Sequence, residues 1–323
     1  MTPPRPAPAQ EAQQDRRRPR PRPAEEKTVR ISDRRFALFL MTPAALFLAV
    51  FVAFPLFRLV ADSFFKISPI AGGPRDFVGL DNYFRAFATE AFVGAGWRTL
   101  AYTLVVVTLE FALGLGMALL FTALGRSSQI WRTVFMYPLM IAPIVAGLLW
   151  KFLMIDNFGL IGTLLHQAGV LSNPNQIGWL SDPNIVLFSV AIPDIWLTTS
   201  FMCLVLFAGL QNIPGDLIEA ARLDGARAPA LLFRIILPLL RPVIAVALVV
   251  RGIDAARAFD TILIQTNGGP QSASETMSLL IYRTMIRFGD PGLASAMGTL
   301  YLLAMLTVAF VAVSTIWRPG KDN

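Results

Sequence analysis

Six stretches of the chain are continuously apolar over lengths that can cross a bilayer, and segments of mixed polarity separate them. A helix needs about 20 apolar residues to span the hydrocarbon core, so each stretch predicts one membrane helix. The spans run from about Phe36 to Val60, Trp97 to Phe121, Ile130 to Ile155, Ile185 to Leu210, Pro238 to Gln265 and Leu293 to Trp317. Pro138 and Pro143 predict a bent or broken third span, because proline removes a helix hydrogen bond. Pro193-Asp194 is expected to interrupt the fourth. Gly114 and Ala118, four apart in the second, favour close helix contact in lipid. Between the spans lie a mixed loop, Asp62 to Gly96, and a Gly-, Asn- and Pro-rich loop, Asp156 to Asn184. A third, Thr266 to Gly292, opens with a turn at Asn267-Gly268-Gly269-Pro270 and is expected to hold a short helix around Glu275 to Phe288.

One polar segment departs from this pattern. Asn212 to Pro242 reads as helix, break, helix. Asp216 and Glu219 have capping-box spacing with Asp216 as the N-cap. Gly225 supplies a left-handed stop, and Pro229 suits the first turn of the next helix. Ala220, Ala221 and Gly225 are small enough to admit another surface. The segment is either a docking knob or an ordinary amphipathic loop.

Composition agrees with the pattern. Of 323 residues 55% are hydrophobic, which excludes an ordinary soluble domain and gives an all-α polytopic membrane protein. The net charge of +7 does not imply nucleic acid, because residues 1–35 carry ten basic against five acidic side chains. That tail is Pro-rich and holds almost no large apolar residue, so it is expected to be disordered and cytosolic; it could touch anionic lipid. It does not resemble a cleaved signal peptide. Basic residues in the N-tail, at Arg126, between Arg222 and Arg234, and in residues 318–323 put both termini and the 212–237 segment in the cytosol. The 61–96 and 266–292 loops then lie outside.

The fifth span carries Arg251, Asp254, Arg257 and Asp260 at i, i+3 spacing. Each intramembrane charge costs at least about 2.5–3.5 kcal/mol, so such residues pair or face a wet cavity. The row is either the lining of a hydrophilic path or an ion-pair ladder. Asp194 and Glu110 are further candidates for the cavity, with Glu110 also readable as a structural hydrogen-bond partner. Trp196 beside Thr198 and Thr199 offers an apolar face and hydroxyls of the kind a sugar needs. No G-x-x-x-x-G-K-[ST] loop is present, so no phosphate-loop ATP site is expected. One Cys and one His exclude a disulfide framework and a Cys-His catalytic pair within the chain. No metal site is expected.

These residues resemble the membrane-spanning subunits of bacterial binding-protein-dependent ATP-binding-cassette (ABC) importers, specifically the carbohydrate-uptake group (maltose, trehalose, polyol and glycerol-phosphate systems). The family signature E-A-A-x-x-x-G followed by I-x-L-P stands here as Glu219-Ala220-Ala221, Asp224-Gly225-Ala226 and Ile235-Ile236-Leu237-Pro238. Phe259-Asp260 with Thr266 to Pro270, and Phe77 to Tyr83, add to it over roughly residues 36–317. The resemblance implies a type I importer permease of six spans whose 212–237 segment is the helix that couples to a separate ATPase. It implies two ATPase copies, a second related six-span permease and an extracytoplasmic solute-binding protein, whose contact would involve the Asn267 to Pro270 turn. ATP would be used by the partner subunit, with no cofactor bound here. The protein would lie in the bacterial cytoplasmic membrane. The 61–96 loop leaves no room for the large external domain of some maltose-type permeases. The competing class is an ion-coupled secondary carrier using Arg251, Asp254 and Asp260 as a relay; a non-transporting scaffold would need no charged row.

Overall fold

The computed structural model describes residues 33–70 and 73–316. Residues 1–32 of the expected N-terminal tail, Trp317 at the expected end of the sixth span and the expected 318–323 tail lie outside the described residues. The chain divides into two compact units after Pro55.

In the first unit, α1 (Asp33–Leu48) passes into a π-helical turn at Ala49–Ala53. Every side chain from 36 to 55 is exposed, since one helix has no core of its own. At the turn Phe54 N–H donates to the Ala49 carbonyl, and the next residue, Pro55, has no N–H to donate. A wide turn is one way to absorb a proline in a helix.

The second unit begins in α2 (Phe54–Asp62), the end of the helical stretch Phe36–Asp62. The 62–96 segment is more ordered than a loop. It forms an antiparallel hairpin of β1 (Phe65–Ile67) and β2 (Arg75–Phe77), then α3 (Asp81–Ala88), and Glu90 already starts α4 (Glu90–Leu124). The hairpin is an exception to the all-α expectation; three-residue strands leave no periodicity to read. α4 has 35 residues, about 52 Å at 1.5 Å per residue, so it outreaches the membrane.

The third span breaks as its prolines require. α5 (Gln129–Met136) runs into a 3₁₀ turn to Met140, and α6 (Pro143–Met154) leaves at 96°. Pro143 opens α6 instead of kinking a continuous helix. Each half is about 18 Å long, too short to span alone. The following loop contains α7 (Leu160–Gln167). His166 lies in the last turn of that helix, with Nδ1 3.0 Å from the Leu171 carbonyl.

After the short α8 (Val186–Ser189), the fourth span is α9 (Ile192–Gln211). Pro193 lies in its first turn, where the missing N–H costs nothing. Pro193 therefore starts this helix and does not interrupt it. α10 (Gly215–Leu223), α11 (Ala228–Leu231) and a second π turn at Leu232–Ile236 lead into α12 (Leu237–Ala256). Here too the turn ends shortly before a proline, Pro238. The fifth span pauses at Arg257–Phe259 and resumes as α13 (Asp260–Gln265). α14 (Met277–Ile286) and the last span, α15 (Pro291–Ile316), complete the described residues. Five helices there are long and apolar enough to cross a membrane, or six with the bent pair as one.

α4 and α9 form the centre of the unit. Buried positions on α4 recur three or four apart, from Phe92 through Thr99, Val106, Glu110 and Gly114 to Phe121, as one helix face requires. A Cβ at Gly114 would come within 2.8 Å of Met202 Cγ, so glycine sets how closely the two helices approach. One apolar cluster joins Ala118, Leu206 and Leu240; another joins Tyr102, Val190 and Ile262.

Candidate functional site

Between those two apolar clusters lies a layer of charge. The face of α4 that buries Val106 and Gly114 also buries Glu110, whose side chain is 0% exposed. Arg251 of α12 meets it with a 3% exposed side chain. Nε of Arg251 donates to Oε2 of Glu110 at 2.7 Å and Nη2 to Oε1 at 2.7 Å. A two-pronged guanidinium–carboxylate pair of this kind is short and directional. Nη2 also lies 3.4 Å from Asp194 Oδ1, in the first turn of α9. Nη1 bonds Asp254 on its own helix. Thr198 Oγ1 donates to Glu110, and Tyr102 Oη donates to Asp194 Oδ2 at 3.1 Å. One cation thus ties three helices. Removing a partner would leave an unpaired buried charge, which costs about 3–5 kcal/mol.

The charged row is graded from core to surface. Asp254, 55% exposed, also pairs with Arg257, 64% exposed, at 3.2 Å. Asp260 is exposed but lies beyond the break, in the first turn of α13. The i, i+3 ladder therefore holds through Arg257 and ends there. Of the residues expected to line a path, Asp254, Arg257 and Asp260 are open. Arg251 is buried, Thr199 is buried and bonded to the Ile195 carbonyl, and Asp194 and Thr198 are engaged in the cluster. Trp196 is half-buried, edge to face with Trp150 at 6.0 Å. Glu110 is the member that the fifth-span row does not reveal. Its signal is its place on the buried α4 stripe.

The Asn267 to Pro270 turn is packed into the protein. Thr266 Oγ1 and Ser274 Oγ pair at 2.7 Å, and Ser274 Oγ donates to the Gly269 carbonyl at 2.7 Å. Glu275 bonds Arg283, and its carbonyl accepts from Arg98 Nε at 2.9 Å. Asn267, Gly269 and Pro270 keep partial exposure while Gly268 is buried. The Phe77 to Tyr83 motif proves to be a fastening. Asn82, buried, donates to the carbonyls of Ser63 (2.9 Å) and Phe65 (3.0 Å) and accepts from Arg85, which reaches Asp290 at 2.7 Å.

The 212–237 segment stands clear of the core. α10 contains no buried residue. Its N-cap is Pro214, with no side-chain cap bond, so Asp216 sits in the first turn and the expected capping box does not form. The end is as expected. Gly225 has φ +82°, Gly225 N–H donates to the Arg222 carbonyl and Ala226 N–H to that of Ala221. Both bonds of a Schellman stop are present. Glu219, Ala220, Asp224 and Gly225 are exposed, Ala221 and Ala226 partly so, and Leu223 projects with 89% exposure. Pro238 lies behind them at the start of α12.

Residues 26–317 match the family described as binding-protein-dependent transport system inner membrane component. The chain belongs to that family. Membership makes it a multi-pass inner-membrane subunit of an ABC importer, without an ATPase site of its own. The sulfoquinovosyl glycerol transport permease SmoG of Agrobacterium fabrum is 35% identical over 280 residues, covering 86% of this chain and 90% of that one. The trehalose/maltose permease MalF of Thermococcus litoralis is 37% identical over 246 residues, 76% and 82%. The trehalose permease SugA of Mycobacterium tuberculosis is 34% identical over 286 residues, 88% and 89%. In fold, the permease is similar to a chain of a bacterial alginate importer: TM-score 0.76, 22% identity, 90% of this chain and 98% of that chain. The charged cluster and the open α10 segment thus sit on an importer permease, not on a carrier that works alone.

Proposed function

We propose that this permease forms half of the path of an ATP-driven importer for a sugar or polyol. A second related permease supplies the other half. Of the two copies of an ABC ATPase in the complex, one docks on the 212–237 segment, and an extracytoplasmic binding protein delivers solute near Asn267 to Pro270. The observation that carries the docking role is the geometry of α10: a helix with no buried residue, closed by a Schellman stop and presenting Leu223. Relatives named for trehalose, maltose and sulfoquinovosyl glycerol support a carbohydrate substrate. Trp196 and the open Asp254, Arg257 and Asp260 are the side chains assigned to solute. The membrane domain is taken as 36–317, with tails 1–35 and 318–323 and both termini cytosolic, following the positive-inside rule. ATP is hydrolysed by the partner, and this chain binds no cofactor.

The test is radiolabelled trehalose and maltose uptake by the complete complex in proteoliposomes. Gly225→Pro and Glu219→Ala are expected to abolish uptake and substrate-stimulated ATP hydrolysis while leaving membrane insertion intact. Wild-type uptake in Gly225→Pro would overturn the docking role. Uptake by this chain alone, blocked by an uncoupler, would favour the carrier.

A further inference from the structure

The fourth and fifth spans are joined at one end by the 212–237 segment and held at the other by a guanidinium. α9 ends at Gln211 and α12 begins at Leu237, so the α10 segment is their covalent link. Asp194 is in the first turn of α9, and Arg251 lies near the far end of α12. The Arg251–Asp194 pair therefore closes the opposite end of the same helix pair. From Asp194 to Gln211 and from Leu237 to Arg251 the helices rise on the order of 20–25 Å. Glu110 brings α4 into the same node, and Tyr102 to Asp194 and Thr198 to Glu110 tie α4 to α9 twice more.

We propose that Glu110, Asp194 and Arg251 act as positioning residues that clamp α4, α9 and α12 into one rigid body. Displacement of α10 on the ATPase then reaches the exposed Asp254–Arg257 pair instead of being lost between α9 and α12. The inference rests on the importer reading above. Its physical basis is that no hydrophobic force holds apolar helix faces together in lipid, so packing and polar pairs between helices fix their relative position. A planar guanidinium spread over Glu110, Asp194 and Asp254 cannot slide, because each step exposes an unpaired charge where water is scarce. Asp254 extends the clamp outward, since it bonds Arg251 on one side and Arg257 on the other.

The experiment uses the full complex in proteoliposomes and reads solute imported per ATP hydrolysed. Arg251→Met and Glu110→Gln are expected to assemble and hydrolyse ATP while importing about tenfold less per ATP, within the usual range of coupling between sites. Arg251→Lys, which keeps the charge and loses the fork, should fall between. A wild-type ratio in assembled Arg251→Met overturns the clamp, and so does a parallel fall of uptake and hydrolysis. A second readout does not depend on those variants folding. On a Cys203→Ala background, spin labels at the exposed Leu109 and Val250 positions report the α4–α12 distance. It is expected to be narrow and equal with and without ATP; a nucleotide-dependent shift overturns the clamp. Absence of ATP-driven uptake in the wild type counts against the importer reading alone, and the width of the label distance, broadened by Arg251→Lys, still judges the clamp.

Discussion

At the scale of the residue, Asn82 does the work of a small covalent link. It is fully buried, and its one amide group satisfies two carbonyls on the strand side while accepting from Arg85. Asn82→Ala would strand the Ser63 and Phe65 carbonyls, at a cost of about 1–3 kcal/mol for each group left unpaired. A clear fall in the thermal-unfolding midpoint of the detergent-solubilised protein is the expected result, with Asn82→Asp nearly as harmful because it keeps the shape and loses the donor. The role of Gly225 is legible in the chain itself, since a left-handed stop is a local demand on one residue. Asn82 is visible there only as part of a motif. Its partners lie 17 and 19 residues away, and no spacing rule connects them.

At the scale of the element, what can be read is what periodicity and proline encode. Six apolar stretches, the break in the third span and the short helix in the last loop all follow from length and proline placement. The hairpin escapes such a reading because its strands are three residues long. The N-terminus of α9 escapes it too, because Pro193 closes one helix or opens another with equal ease, and only the fold decides. Glu110 illustrates a third limit: a carboxylate in a span announces that a partner exists, but not that it is Arg251. The outer elements α3 and α15 are fastened by Arg85 and Asp290, which are 41% and 23% exposed. At that exposure the pair is worth at most about 1 kcal/mol. A double-mutant cycle with Arg85→Ala and Asp290→Ala, read by thermal unfolding, is expected to give a coupling below that value. A larger coupling would mean that the pair is shielded in the assembled complex.

At the scale of the whole molecule, the placement of charge and of exposed apolar side chains makes one topological prediction. Leu223 should face the cytosol. Leu223→Cys, on a Cys203→Ala background, is expected to react with a membrane-impermeant maleimide in inside-out vesicles and not in intact cells. Added ATPase should protect it. Labelling from the outside would invert the topology and remove α10 as the docking element. A groove of about 790 Å³ between α4, α12 and α15 is lined by small and apolar residues such as Gly252, Ala256, Leu300 and Ala304, with no charged side chain in its lining.

The bond between Glu110 and Arg251 also sets an order of events during biosynthesis. The two residues are 141 positions apart in the chain. At the usual 5–20 residues per second, Glu110 is made roughly 7 to 30 s before Arg251 and precedes it into the membrane by a similar interval. For that interval the second span holds an acid in lipid with no basic partner from its own core. Asp194 joins it before Arg251 arrives, so the deficit grows and is then relieved in one step when the fifth span inserts. A ribosome stalled after the fourth span would leave a four-span intermediate in which Glu110 and Asp194 both lack the guanidinium they share in the folded protein.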